Sequence, residues 1–206
     1  SVGGKPKKLN IPGIDLAWTS DDIFNLDSFP DTILIVGGGY IACEFASIFM
    51  NLGTEVTQLI RGQSLLNGFD KDLSSCLEES PTFTGINIIS NTQLKSIERL
   101  NENLESTLDS GEKILTNNIL IATGREPNLL PLNLEFLKLK MDGKYLDVDE
   151  LNQTSNANIF AVGDIIKRPN LTPVAIEQGR VFSDNFFNDQ KRKVNYENIP
   201  KAVFTI

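Results

Sequence analysis

The sequence predicts an α/β fold in which a parallel sheet carries an antiparallel meander, and three observations predict it. The apolar run from Ile33 to Val36 enters Gly37-Gly38-Gly39-Tyr40-Ile41-Ala42 and passes without a linker into a helical pattern, so strand, tight turn and helix follow directly. Short runs at Glu55 to Ile60, Ile86 to Ser90 and Ile119 to Ala122 have the length and character of further buried strands. Between the last two, Asn-Glu-Asn at 101–103 and Asp-Ser-Gly at 109–111 separate three short segments with hairpin turn chemistry.

Taken in order, residues 1–30 are broken by Pro6, Pro12-Gly13 and Pro30-Asp31 and read as an irregular leading segment, with a short helix near Asp21 to Leu26. After the glycines, Ile41, Phe45, Ile48, Phe49 and Leu52 recur at helical spacing as one apolar face, and Gly53 follows as the C′ residue. Asp70 is placed to cap a helix from Lys71 to about Ser80, which Pro81 stops. Leu94 to Leu100, Leu104 to Leu108 and Lys113 to Thr116 form the meander, inserted into the parallel sheet.

After Gly124 the pattern changes. Leu129 to Lys140 is leucine-rich without a clear period, and Asp142-Gly143 is a turn. Ile159 to Val162 is expected to be a strand ending at Gly163-Asp164, and Thr172 is expected to cap a helix from Pro173 to about Phe187. The tail from Lys191 is charged, and Lys201 to Ile206 reads as extended.

The formal net charge of −8 over 206 residues argues against nucleic acid or an anionic membrane as partner. Cys43 and Cys76 have no disulfide or zinc-site spacing, and they read as buried small apolar residues of a cytoplasmic protein. No metal site is expected. There is no leading basic-plus-apolar signal and no uninterrupted apolar span, so no membrane association is expected. Histidine is absent, which removes the usual acid–base residue near neutral pH.

The glycine string is the element with chemistry. Gly37 permits the tight turn, Gly39 lets a pyrophosphate approach the backbone, and Ala42 lets helix and strand pack closely. The phosphates would lie on the helix N-terminus, where unpaired N–H groups and the dipole favour anions. At the end of the second strand, where an NAD site places an acid, the chain has Arg61. Either Arg61 meets a 2′-phosphate, favouring NADPH over NADH, or it is a solvated arginine at a strand end.

The chain resembles the pyridine nucleotide-disulfide oxidoreductases over essentially its full length. The resemblance rests on Val2-Gly-Gly-Lys-Pro, Ile11-Pro-Gly, Thr19-Ser-Asp-Asp, Gly37-Gly-Gly-Tyr-Ile-Ala-x-Glu and Ile60-Arg-Gly to Gly68-Phe-Asp. It continues through Ala122-Thr-Gly-Arg-x-Pro-Asn, Ala161-Val-Gly-Asp, Leu171-Thr-Pro-Val-Ala and Ile199-Pro-x-x-Val-Phe, in that order. The resemblance implies a Rossmann-like three-layer NADPH domain inserted in a partial FAD-binding domain. It divides the chain into an FAD-domain or linker segment at 1–30, the NADPH domain at 31–122, an FAD-domain segment at 123–190 and the start of an interface domain at 191–206.

By the same resemblance Gly37, Gly38, Gly39 and Ile41 contact the NADPH pyrophosphate, Tyr40 covers the nicotinamide pocket and Glu44 lies near the carboxamide. Gly124 and Arg125 close that site against the flavin. Gly163 and Asp164 hold the ribityl chain of FAD, and Asn170 and Thr172 lie at the flavin's pyrimidine edge. Each has an ordinary structural reading too: Tyr40 as packing, Glu44 as a solvated acid, Asp164 and Thr172 as caps.

The resemblance implies a flavoprotein that reduces a disulfide, glutathione disulfide first, in the service of cell redox homeostasis. It also implies a homodimer formed through a C-terminal domain that this chain lacks. The departures matter equally. The redox Cys-x-x-x-x-Cys and the catalytic histidine are absent, so the chain reads as a fragment with no catalytic residue of its own. Asn67 and Gly62 stand where basic residues are frequent, which leaves the NADPH preference to Arg61. A sibling acting on lipoamide, mercuric ion or a second nicotinamide, and a nucleotide-binding module without turnover, remain as alternatives.

Overall fold

A computed structural model describes residues 1–188 and 191–205; Asp189, Gln190 and Ile206, the last of the expected extended run, lie outside the described residues. The chain divides into two compact units, one of residues 1–5 and 125–201 and the other of residues 6–124 and 202–206.

The larger unit is built on five parallel strands: β2 (Trp18–Thr19), β3 (Thr32–Val36), β4 (Glu55–Leu59), β5 (Asn87–Ile89) and β9 (Asn118–Ile121), in the order β2-β9-β3-β4-β5. Strand period decides which side chain goes where. Ile33 and Ile35 enter a core with Ala42, Ala46 and Phe49 of helix α2 (Tyr40–Asn51), while Leu34 and Val36 face the opposite side. There they meet Leu94, Ile97, Leu104 and Leu108 of the meander strands β6 (Leu94–Leu100) and β7 (Asn103–Leu108). With β8 (Lys113–Thr116), these form an antiparallel sheet of their own. The meander is therefore a third layer packed on the parallel sheet, not an insertion within it. Its apolar alternation supplies one full face, and that face needs a partner sheet.

The α2 helix buries Ala42, Cys43, Ala46, Ser47 and Phe49, whereas Ile48 and Leu52 of the expected apolar face are exposed. Small side chains let the helix axis approach the sheet, and the branched residues are left on its flank. Gly53 ends the helix as expected: at φ 93° it donates to the Met50 carbonyl while Thr54 donates to Phe49, a Schellman pair. Helix α3 (Lys71–Glu78) is capped by Asp70, whose Oδ1 accepts the Asp72 N–H at 2.9 Å. It stops before Ser80, because Pro81 opens a further helix, α4 (Pro81–Thr84), rather than only closing the first. A proline fits the first turn, where its missing N–H would have been unpaired anyway. Cys43 is buried but Cys76, on α3, is exposed, so the reading of both as buried holds for one alone.

In the leading segment α1 (Ser20–Ile23) falls near the expected helix, and β2 adds an edge strand that the sequence reading leaves irregular. The smaller unit has little sheet. Strands β1 (Gly4–Pro6) and β10 (Arg125–Pro127) pair, and β11 (Met141–Asp142) and β12 (Tyr145–Leu146) form a hairpin across the Asp142-Gly143 turn. Its core is Leu146, Ala161, Ile165 and Ile166, joined by half-buried leucines that include Leu134 of the short helix α5 (Leu134–Leu137).

Ile159 to Val162 is not a strand: only Phe160 bridges to Gln153, and the Ala161 N–H donates to the Asn152 carbonyl. Apolar character alone cannot make a strand where loop carbonyls take the N–H groups. Helix α6 (Thr172–Phe187) begins one residue earlier than expected, with Leu171 as the cap in extended conformation and Thr172 inside the first turn. The charged tail folds back on α6, with Arg192 paired to Glu177 and Asp184. Residues 201–205 form no strand. Among the described residues no helix is long and apolar enough to cross a membrane.

Candidate functional site

The carboxyl ends of β3, β4 and β9 lie side by side, and the residues that follow them gather at one edge of the sheet. That edge is where open α/β sheets bind ligands. Gly37 follows β3 at φ 144°, and its N–H donates to the Leu59 carbonyl at 2.9 Å. A Cβ there would lie 2.3 Å from the Ala122 carbonyl oxygen, so only glycine fits. At Gly38 a Cβ would press on Ile60 at 3.2 Å. At Gly39 it would meet nothing within 4 Å, so this backbone faces open space.

Gly39 caps α2 with no side-chain hydrogen bond, and the first N–H groups of the helix have no partner within the helix itself. The N–H groups of Gly38 and Gly39 have no partner among the described residues. Tyr40 opens the helix and is 40% exposed, and Ile41 is half-buried. Glu44 lies one turn on, on the same side as Tyr40. Its carboxylate accepts the Phe204 N–H at 3.0 Å, a tie to the chain's last described stretch that sequence patterning does not reveal.

Arg61 follows β4, is exposed and has no ion-pair or hydrogen-bond partner among the described residues. Asn67 is exposed in a turn between Leu66 at φ 52° and Gly68 at φ 94°. The turn is tied to the glycine string, because the Leu66 N–H donates to the Gly38 carbonyl at 2.7 Å. Gly124 follows β9 at φ 123°, with open space beside its Cα. Under the glycines, Cys43 is sealed from water, and burial pushes its thiol up to about 11.

The remaining expected residues belong to the smaller unit. Asp164 sits in a single helical turn, Gly163–Ile165, with no hydrogen-bond or ion-pair partner for its carboxylate among the described residues. A Cβ on Gly4 would lie 2.8 Å from its Oδ2, so the strand passes the carboxylate as closely as only glycine allows. The Gly163 N–H donates to Gln178 Oε1 at 2.7 Å, and Gln178 is buried in α6. Arg125 donates to the Gly4 carbonyl at 2.6 Å. Asn170 and Thr172 are exposed where α6 begins.

The glycine edge fits a dinucleotide on three grounds: an open Cα at Gly39, unpaired N–H groups of Gly38 and Gly39 among the described residues just before a 12-residue helix, and a free guanidinium past the end of the neighbouring strand. The Asp164 cradle fits a polyhydroxyl chain, because an unpaired carboxylate accepts hydrogen bonds that hydroxyls donate. Sequence reasoning missed Gln58, which is fully buried below the glycines. Its signal was available: Val56 and Gln58 share a face of β4, Ile60 continues their alternation just past the strand, and one of the three is polar.

The family model described as pyridine nucleotide-disulphide oxidoreductase matches residues 1–179. The chain is 40% identical to a glutathione reductase of Nostoc sp., covering 100% of this chain and 48% of that protein. It is 35% identical to a trypanothione reductase of Trypanosoma congolense, covering 100% of this chain and 43% of that one. Among solved structures, the Cu(II) complex of the HOCl-induced flavoprotein disulfide reductase RclA from Escherichia coli superposes with a TM-score of 0.93 at 28% identity, over 100% of this chain and 47% of its own. The chain spans about half the length of the curated relatives it matches. It belongs to the pyridine nucleotide-disulphide oxidoreductase family.

Proposed function

We propose that this family member is the NADPH- and FAD-binding portion of a flavoprotein disulfide reductase whose substrate is glutathione disulfide. The observation that carries the nucleotide assignment is Arg61: a free, exposed guanidinium where an NAD site would place an acid. The substrate assignment is supported by the 40% identity to a glutathione reductase along the entire chain.

In this reading residues 31–122 hold NADPH, 1–30 are an FAD-domain or linker segment, 123–190 contribute to the FAD domain, and 191–206 begin an interface domain. Bound together, the two cofactors supply hydride transfer from nicotinamide to flavin. The chain's own residues bind and orient. Gly37, Gly38, Gly39 and Ile41 present backbone to the pyrophosphate, and Arg61 pairs with the 2′-phosphate, with Asn67 beside it. Tyr40 shields the nicotinamide pocket from water, Glu44 accepts from the carboxamide, and Gly124 and Arg125 border that pocket. Asp164 and Gly163 hold the ribityl chain. Asn170 and Thr172 lie at the flavin edge where a helix N-terminus stabilises negative charge.

Cys43 is buried and protonated and Cys76 lies apart on α3, so the redox dithiol and the histidine are assigned to the relatives' remaining length. A cytoplasmic homodimer belongs to the same proposal, its compartment supported by the two free cysteines. A second reading, a nucleotide-binding module without turnover, is favoured by one observation: the unit with the glycine string has a core of its own.

Calorimetry with NADPH and NADH tests the nucleotide assignment. Arg61→Ala should lower NADPH affinity roughly ten- to a hundredfold, the size of a charge-assisted hydrogen bond, and leave NADH nearly unchanged. Equal losses for both would make Arg61 structural. For the parent, activity with lipoamide and NADH alone would exclude glutathione disulfide.

A further inference from the structure

We propose that Gln58 is a positioning residue of the nucleotide site: it holds the Gly37 carbonyl inward and so turns the Gly38 N–H toward the pyrophosphate. The inference rests on the dinucleotide reading of the glycine edge and adds a residue to it.

Gln58 is fully buried on β4, on the face that carries Val56 into the apolar core below α2, which Ile60 just past the strand also joins. Its Nε2 donates to the Gly37 carbonyl at 2.9 Å and lies 3.8 Å from the Cys43 sulfur. The carbonyl can only accept, so the amide must present its nitrogen there, and Oε1 is left buried with no partner. An apolar side chain at this position would bring no orphaned oxygen into the core. What the glutamine supplies instead is a fixed carbonyl.

The peptide joining Gly37 to Gly38 is planar and trans, so its carbonyl and its N–H point to opposite sides. With the carbonyl held in the core by Gln58, the Gly38 N–H points away from the core, and it has no partner among the described residues. The next peptide is set the same way. The Gly38 carbonyl accepts the Leu66 N–H at 2.7 Å, with the Cys43 sulfur at 4.0 Å, and this turns the Gly39 N–H outward beside the open Cα. Two adjacent donors are thereby aimed at one place before any ligand arrives. Glycine peptides flip readily, because neither neighbour has a side chain to resist. Without Gln58 the Gly37 carbonyl is free to swing outward, where it would face phosphate oxygens with an oxygen of its own.

The test is calorimetry on the protein with NADPH, NADH and 2′-AMP, which keeps the Arg61 contact but has no pyrophosphate. Gln58→Leu should weaken NADPH and NADH about three- to tenfold each, the size of one neutral hydrogen bond, and leave 2′-AMP unchanged. Thermal stability should change little, since one orphaned acceptor replaces another. Undiminished NADPH binding by Gln58→Leu would overturn the inference, and so would an equal loss for 2′-AMP. If the wild-type protein itself fails to bind NADPH, the dinucleotide reading falls first. Should Gln58→Leu not fold, Gln58→Met replaces it. The wild-type protein gives a further readout: NADPH should slow hydrogen exchange at the Gly38 amide, and unchanged exchange in a protein that binds NADPH would also refute the assignment.

Discussion

The two units of this chain carry their apolar residues in opposite ways. In residues 6–124 the parallel sheet is covered on both faces, by α2 on one side and the meander on the other. In residues 1–5 and 125–201 Leu146, Ala161, Ile165 and Ile166 form a smaller buried cluster among the described residues, while Phe186 and Phe187 remain 61% and 71% exposed at the end of α6. The first unit can hold a backbone turn to within tenths of an ångström because dense packing fixes each strand end. The second holds its candidate carboxylate, Asp164, with a single helical turn and the near passage of Gly4.

The contrast can be broken first in the cores. Phe49→Ala should cost about 3–5 kcal/mol, because the ring is fully buried between helix and sheet. Ile165→Val should cost about 0.5–1.5 kcal/mol in the smaller cluster. Denaturant unfolding followed by hydrogen exchange at amides of each unit measures both, and a Phe49→Ala loss below 1 kcal/mol would erase the distinction.

Alkaline pH sharpens it further. Burial raises the Cys43 thiol from 9.0 to about 11 in the folded protein, so the unfolded chain releases that proton first. Stability conferred by the protonated thiol is intact below pH 9 and is lost as pH rises toward 11, by about 2–3 kcal/mol. Comparing the wild type with Cys43→Ala across this range isolates the effect, and parallel curves would refute it. The smallest effect is expected at the open end of α6, where Phe187→Ser should stay within about 0.5 kcal/mol in thermal denaturation. A loss above 1 kcal/mol would place Phe187 in a core.

Legibility followed the same division. In the larger unit the strand–turn–helix at the glycines, the Asp70 cap and the three meander strands were readable, because each is fixed by local chemistry: positive φ, a side-chain acceptor, turn residues. The buried face of α2 was read in part: Ile41, Phe45 and Phe49 pack on the core, but Ile48 and Leu52 do not, because close packing on a sheet selects Ala42, Cys43 and Ala46. In the smaller unit the expected strand at Ile159 to Val162 failed, since strand formation depends on a partner that no local pattern supplies. Among the candidate site residues, Arg61 stood out by its type at a strand end. Gln58 went unnoticed because one polar residue in an apolar strand carries no motif.

By itself, the order of residues determined that a glycine turn joins a buried strand to a helix, that an arginine follows the second strand, and that the chain has no histidine and no paired cysteines. These are consequences of residue type and short spacing. Only the tertiary structure decided that the meander forms a separate layer, that Glu44 meets the Phe204 backbone, and that Gln58 reaches the Gly37 carbonyl from a strand 21 residues away. Each of those joins groups distant in the chain, and burial alone brings such groups within hydrogen-bonding reach.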